Sequence, residues 1–334
     1  MGHLLNGEWQ TDAVGGTDKK GAFVRADAGF RSWITPDGAP GPSGDGGFAA
    51  ESGRYHLYVA NACPWAHRTV IFRGIKGLED HIGLSIVDPM MLDKGWAFSD
   101  EPGTIPDTLN GAQFAYELYQ KARPTYSGRV TVPILWDKAT NTIVSNESSE
   151  IIRMFNSAFN AITNNTEDYY PAELRGEIDA LNNVIYGTVN NGVYKCGFAA
   201  SQEAYEAAFD ALFETLDMLD DRLATRRTLM GNMLTEADWR LFTTLVRFDP
   251  VYVGHFKCNR QRIADYPHLS GYLRDLYQRP GIAGTVNMDH IKRHYYGSHE
   301  TVNPRRIVPL GPTISYDAPA NREHLGAVDV KKAI

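Results

Sequence analysis

Hydrophobic and polar positions divide this chain into regions of different period. Tyr55-His56-Leu57-Tyr58-Val59-Ala60 alternates polar and apolar residues, the period of two that predicts a strand. After a short break, Thr69-Val70-Ile71-Phe72-Arg73-Gly74-Ile75 predicts the first turns of a helix. Ile82-Gly83-Leu84-Ser85-Ile86-Val87-Asp88 predicts a second strand, and Val130-Thr131-Val132-Pro133-Ile134-Leu135-Trp136-Asp137 a third with a proline inside it. Asn141-Thr142-Ile143-Val144 is its hairpin partner, and a helix follows from Glu147 to Asn156 with Ile151, Ile152, Met154 and Phe155 apolar. From about residue 171 the period becomes 3.6: Leu174, Ile178, Leu181, Ile185 and Val189 share one face. Tyr205, Phe209, Leu212, Phe213, Leu216, Leu219 and Leu223 share another, with Ser201 suited to the N-cap. Thr235 and Asp238 have capping-box spacing, with Leu234 and Trp239 as the matching hydrophobic staple. A further helix runs through Leu269, Leu273 and Leu276 to Pro280.

Outside these segments the period fails. Residues 1–54 are rich in Gly, Asp and Pro and read as a loop-rich extension, pinned by Phe30, Trp33 and Phe48. Residues 89–128 read as a long insertion, a length that in compact domains is usually functional. The expected organisation is therefore an extension (1–54), an α/β domain (55–165) with its insertion, an all-helical domain (171–295) and a tail (296–334). No internal repeat is present.

Composition narrows the class. A chain of 334 residues suggests two domains, or one large one with an extension, and 43% hydrophobic content supports an ordinary core. The net charge of −7 gives no electrostatic case for nucleic-acid or membrane-surface binding. No apolar run nears the roughly 20 residues needed to span a bilayer. The first residues lack a basic n-region and an h-region, so export is not expected. The three cysteines, Cys63, Cys196 and Cys258, are too few and too scattered for a disulfide framework or a metal site. A reducing cytoplasm fits all of this.

Candidate chemistry centres on Cys63-Pro64-Trp65-Ala66-His67-Arg68, between the first strand and the first helix. Strand, short turn, Cys-Pro and helix is the layout of a thioredoxin-like thiol site. The helix N-terminus offers unpaired N–H groups and partial positive charge, which favour a thiolate and can bring a cysteine pKa to roughly 3.5–7.5. Pro64 fits the first helical turn, where its missing N–H costs little. A dithiol oxidoreductase would carry a second cysteine three residues on; this chain has Ala66. A mixed disulfide on Cys63 must then be cleared by an outside thiol, for which glutathione is the obvious candidate. The competing reading is a buried structural cysteine.

Two further pairs fit such a ligand. A cis Val132–Pro133 bond would turn the Val132 backbone groups toward a peptide-like ligand that adds as a short strand; an edge-strand proline is the other reading. Glu147 and Ser148, at a helix start, could divide a zwitterion, Glu147 taking an ammonium and Ser148 with free N–H groups a carboxylate; ordinary capping needs the same residues.

The chain resembles the Xi class of glutathione transferases, the glutathionyl-hydroquinone reductases. The likeness rests on Gly53-Arg54-Tyr55-His56-Leu57-Tyr58, the Cys63-Pro64-Trp65-Ala66-His67-Arg68 run, Gly95-Trp96-Ala97-Phe98, Gly128-Arg129-Val130-Thr131-Val132-Pro133, Ser145-Asn146-Glu147-Ser148-Ser149-Glu150 and Arg247-Phe248-Asp249-Pro250-Val251-Tyr252. It covers nearly the whole chain. It implies a thioredoxin-like domain followed by a helical domain, usually as a homodimer, with glutathione as cosubstrate, glutathionylated hydroquinones as substrates and no metal. It implies Cys63 as nucleophile and glutathione contacts from Trp96, from Arg129, Val130, Thr131 and Val132, and from Glu147 and Ser148. It also implies a proton-relaying tyrosine, matched by Tyr194, and two more tyrosines near the sulfur that help keep the cysteine acidic, matched by Tyr252 and Tyr295. Tyr296 competes with Tyr295 for the last role, and the pattern alone does not choose among 17 tyrosines. An Omega-like thioltransferase or dehydroascorbate reductase shares the single cysteine, and a non-catalytic ligand carrier needs no reactive thiol. His290, Lys292, Arg293 and His294 read as a solvated helix end, and Cys258 as a core residue.

Overall fold

A computed structural model describes residues 2–11 and 16–333. They fall into two compact units. One comprises the first residues, Ala26–Thr166 and Asn287–His294; the other comprises a short segment ending at Arg25, Glu167–Val286 and the chain from Tyr295 onward.

The first unit begins with a two-stranded hairpin, β1 (His3–Leu5) and β2 (Glu8–Gln10), inside the extension expected to be loop-rich. Asn6 and Gly7 both take positive φ, the turn chemistry that an Asn-Gly pair supplies. The main sheet has the order β4-β3-β5-β6, formed by β3 (Tyr55–Val59), β4 (Ile82–Ile86), β5 (Ile134–Asp137) and β6 (Thr142–Ser145). β3 runs parallel to β4, pairing Tyr55 with Ile82, and antiparallel to β5, pairing Tyr58 with Ile134. Helices α1 (Pro64–Ile75) and α3 (Ser148–Ser157) belong to the same unit, giving the thioredoxin-like order expected. β5 begins only at Ile134, four residues later than the pattern predicts. Pro133 has no N–H to give the ladder, and the Val132–Pro133 bond is cis. The insertion is not loop throughout: α2 (Ala115–Ala122) lies within it, and its Glu117 accepts the Gln113 N–H at 2.8 Å. A single turn, α4 (Asn160–Thr163), ends the run. Phe30 and Phe48 are buried and Trp33 is half-buried; Phe30 packs on Tyr119 and Tyr126 of the body, whereas Trp33 donates to the Ser43 hydroxyl within the extension itself.

The second unit is helical: α5 (Arg175–Ile185), α6 (Gly192–Gly197), α7 (Gln202–Leu223), α8 (Glu236–Arg247) and α9 (Leu269–Tyr277). The Ser201 side chain caps α7 by accepting the Ala204 N–H. The Thr235–Asp238 box forms at α8, and the buried Asp238 carboxylate also accepts from the Leu229 N–H and the Tyr272 hydroxyl, both at 2.8 Å. Two five-residue π-turns, Tyr186–Asn190 and Phe248–Tyr252, interrupt the 3.6 period. π-turns are frequent at functional sites, and these precede Tyr194 and end on Tyr252. The last helix, α10 (Met288–Ser298), is one continuous element. The tail is anchored: a two-residue strand, β8 (Lys331–Lys332), pairs with β7 (Glu167–Asp168), and Arg322 donates to the Leu223 carbonyl at the end of α7. Among the described residues no helix is long and apolar enough to cross a membrane.

Candidate functional site

In the first unit the thiol sits where a strand hands over to a helix. Cys63 is the N-cap residue of α1, with Pro64 in the first turn and no side-chain cap on the helix. The first N–H groups of α1 therefore keep their partial positive charge beside the sulfur. Cys63 is half-buried, and its Sγ lies 3.6 Å from the Val132 carbonyl oxygen. The structure thus brings two of the sequence-predicted positions together.

The Arg129–Val132 segment is held by residues that sequence reasoning missed. Tyr119 on α2 donates its hydroxyl to the Thr131 carbonyl at 2.8 Å and accepts the Thr131 N–H at 3.2 Å. Asn146 donates to the Tyr119 oxygen at 3.0 Å and to the Thr131 hydroxyl at 3.2 Å. Tyr126 donates to the Arg129 carbonyl at 3.3 Å. Burial pushes the Tyr119 hydroxyl up to about 12, the hydrogen bonds at Thr131 working against it, so it stays a donor at neutral pH. Thr131 has its backbone fixed on both sides, and Val132 is buried.

Glu147 is the N-cap of α3. Its Oε1 accepts the Ser149 N–H at 2.9 Å and the Ser149 hydroxyl at 2.8 Å. The capping alternative is therefore realised, with one carboxylate oxygen engaged. Ser148 is the first helical residue and only 3% exposed. Trp96 stacks on His294, ring centroids 4.8 Å apart at 22°. His294 in turn lies 2.9 Å from the Pro89 carbonyl through Nδ1, and His290 2.8 Å from the Pro102 carbonyl through Nε2. Both histidines are buried, which corrects the expectation of a solvated helix end: four residues apart, they share one helix face, and that face fastens the insertion.

In the second unit three tyrosine hydroxyls meet. Tyr295 lies 2.6 Å from the Tyr194 oxygen and 2.9 Å from the Tyr252 oxygen. Tyr194 is 9% exposed, whereas Tyr252 and Tyr295 are 0% and 1%. Burial first, and then the charge that Tyr194 would carry, push Tyr252 and Tyr295 well above the usual phenol range; the Arg247 guanidinium opposes this. Tyr296 faces elsewhere, donating to the Pro250 carbonyl at 3.3 Å, so Tyr295 is the member of the cluster. Gly197 makes room for the aromatic floor: a Cβ there would stand 2.1 Å from Phe256, whose ring packs on Tyr194 and Tyr252. Behind Phe256, His255 Nε2 and His299 Nδ1 are 3.1 Å apart, and burial brings His255 down to about 4. Cys196 and Cys258 are both buried. Burial raises the Cys258 thiol well above its ordinary range, as a core cysteine should be. Among the described residues no group of three or more His, Cys, Asp or Glu could hold a metal ion.

Comparisons with known proteins place these observations. Residues 62–158 match the glutathione S-transferase N-terminal domain, and residues 202–275 its C-terminal domain. The chain is 58% identical over 324 residues to glutathionyl-hydroquinone reductase YqjG of Escherichia coli K12, covering 97% of this chain and 99% of that one. It is 52% identical over 312 residues to glutathionyl-hydroquinone reductase PcpF of Sphingobium chlorophenolicum, covering 93% and 96%. The glutathione-bound structure of YqjG superposes with a TM-score of 0.89, over 96% of this chain and 99% of that one at 57% identity. The Xi-class transferase of Natrialba magadii gives 0.89 over 98% of both chains at 47% identity.

Proposed function

We propose a function from one premise: the chain belongs to the glutathione S-transferases, in the Xi class of glutathionyl-hydroquinone reductases. The proposed reaction is the glutathione-dependent reduction of a glutathionyl-hydroquinone to the hydroquinone, with oxidised glutathione as second product. The observation that carries it is the 58% identity, across nearly both full chains, to a protein named for that reaction.

The chemistry follows from the residues. A thioether resists thiol attack because carbon is a poor leaving group. A hydroquinone can tautomerise to a ketone, which activates the adjacent carbon–sulfur bond. In the proposed cycle Tyr194 gives the proton that the ring carbon takes up, and Tyr252 and Tyr295 hold its hydroxyl in place. The Cys63 thiolate attacks the glutathionyl sulfur; the sulfur–sulfur bond forms, the carbon–sulfur bond breaks, and its electron pair returns to the ring. A second glutathione thiolate attacks the mixed disulfide, expelling the Cys63 thiolate and oxidised glutathione. With Ala66 three residues from Cys63, no thiol in that turn competes for this step. Trp96, Arg129, Val130, Thr131, Val132, Glu147 and Ser148 are proposed to hold glutathione: the Val132 backbone as strand partner, Glu147 for the γ-glutamyl ammonium, and Ser148 with the α3 N-terminus for its carboxylate. The reading includes a homodimer working in the reducing cytoplasm.

The test follows hydroquinone release from a glutathionyl-menadiol substrate with excess glutathione, beside a Cys63→Ala control. Turnover that disappears in the control supports the cycle. A protein that exchanges disulfides yet leaves the thioether intact would instead be a thioltransferase, the reading favoured by the lone thiol alone. No activity in either assay would point to a carrier.

A further inference from the structure

Residues just before Arg25 leave the extension and fasten onto the helical unit. Asp18 closes a turn by accepting the Lys20 and Ala22 N–H groups at 2.8 and 2.9 Å. The Ala200 N–H donates to the Gly21 carbonyl at 2.9 Å, and the Ser201 hydroxyl to the Lys20 carbonyl at 2.9 Å. Gly21 has φ of +83°, and a Cβ there would meet the Ser201 nitrogen at 2.9 Å, so the close approach depends on glycine. The segment ends by laying Phe23 against Tyr194 and Phe198, at centroid distances of 6.5 and 5.6 Å. Arg25 then places its guanidinium carbon 4.9 Å from the Tyr194 ring centroid, while its Nε donates to Asn191 Oδ1 at 2.9 Å.

A cation over a phenol face is attracted by the ring quadrupole. When the phenol loses its proton the side chain gains a full negative charge, most on oxygen and part delocalised into the ring, and the same cation attracts it more strongly. The contact therefore stabilises the phenolate more than the phenol, and it is aimed by the Asn191 bond rather than left to a mobile side chain. From this geometry we infer that Arg25 is a positioning residue for Tyr194, steadying the phenolate left when that hydroxyl gives up its proton. The inference rests on the role proposed for Tyr194 above. It makes a piece of the N-terminal extension part of the acid–base apparatus. The charged and titratable groups around Tyr194 are the Tyr252 and Tyr295 hydroxyls, the Arg247 guanidinium, and the His255–His299 pair beyond Phe256. The Tyr252 and Tyr295 rings pack against Tyr194 at centroid distances of 6.2 and 6.4 Å, and Arg25 brings a cation over that ring at 4.9 Å.

The experiment uses the full chain and two readouts. Tyrosinate absorbance is titrated in the unaltered protein, Tyr194→Phe, Arg25→Gln and Arg25→Lys; the difference from Tyr194→Phe isolates the Tyr194 step. Arg25→Gln should move that step up by about one pH unit, a tenfold change in the ionisation constant, and Arg25→Lys by less. Glutathionyl-hydroquinone turnover in Arg25→Gln should fall in kcat by roughly three- to tenfold, as a weaker general acid requires. KM for glutathione and disulfide exchange at Cys63 should be unchanged. Arg25→Met keeps the aliphatic stem against Phe23 and replaces the glutamine variant should that fail to fold. A Tyr194 step that stays put overturns the inference, as does an equal loss of thioether turnover and disulfide exchange, which would mark Arg25 as structural. Absence of thioether turnover in the unaltered protein would sink the functional reading, while the titration still decides the Arg25 contact.

Discussion

His255 gives a prediction whose size can be worked out. Its ring is buried beside His299, Phe256 and Tyr295, and burial brings its pKa down to about 4 from the ordinary 6.5. In the unfolded chain the imidazole takes up a proton near pH 6.5; in the folded chain it does so only near 4. The unfolded state therefore binds more protons throughout that window. The stability this histidine leaves intact is full above pH 6.5 and is withdrawn as the pH falls from 6.5 to 4, by about 3 kcal/mol in all. The assay is urea unfolding of the helical unit followed by circular dichroism, at half-unit steps from pH 7.5 to 4. His255→Gln supplies a non-titrating amide, so its stability should change less over the window and the two curves should diverge by about 3 kcal/mol at the acid end. Parallel curves would refute the argument and mean that His255 reaches solvent easily enough to titrate normally.

Other expectations follow from the same structure. Tyr119→Phe removes the clamp on Thr131, and should raise KM for glutathione several-fold and destabilise the first unit by about 1–3 kcal/mol; unaltered steady-state kinetics would contradict the clamp. Gly197→Ala drives a methyl into the Phe256 ring and should cost about 1–3 kcal/mol or more, read as a lowered urea midpoint. Arg54 donates twice to the fully buried Asp137, each bond 2.8 Å. Burial opposes the charge on Asp137, but bonds from Arg54, Thr140 and the Ala139 N–H hold its carboxyl below the usual range. Its contribution is full above about pH 4 and lost as pH falls through the lower folded value; Asp137→Asn should flatten that acid limb, and a limb of the same slope would count against it.

How far the sequence reaches depends on how local the information is. Cys63, Pro64 and Ala66 are neighbours, and their meaning is set by one strand-to-helix junction, so the thiol site is legible in a dozen residues. The Thr235–Asp238 box and the Ser201 cap are legible for the same reason. Val132-Pro133 is half legible: the proline announces a break in the strand pattern, but where the ladder resumes depends on which N–H groups remain to build it. The tyrosine cluster is not legible from spacing. Tyr194, Tyr252 and Tyr295 lie on three elements, and two of those elements are reached through π-turns that shift the helical phase. Only a likeness to a whole family picked them out. His290 and His294 misled because a cluster of basic residues near a helix end is usually solvated; here carbonyls of the insertion bury them. Tyr119 and Asn146 carried a faint signal, a tyrosine beside Leu118 on the apolar face of a short helix and an amide next to a capping carboxylate. Asn6-Gly7 was a plain hairpin signal in a stretch whose glycine content drew attention to loops instead.

The three cysteines differ in a way that has a practical consequence. Cys196 and Cys258 are enclosed in the helical unit, while Cys63 is half-buried at a helix start. Under native conditions a mild alkylating reagent should count one thiol per chain, and denaturant should raise the count to three. The native protein thus comes with a single chemical handle at its most informative atom. A fluorine or nitroxide label introduced there needs no prior cysteine removal, and in the unlabelled protein a loss of alkylation on adding oxidised glutathione would report the Cys63–glutathione mixed disulfide, formed by thiolate attack with release of one glutathione thiolate, without any thioether turnover.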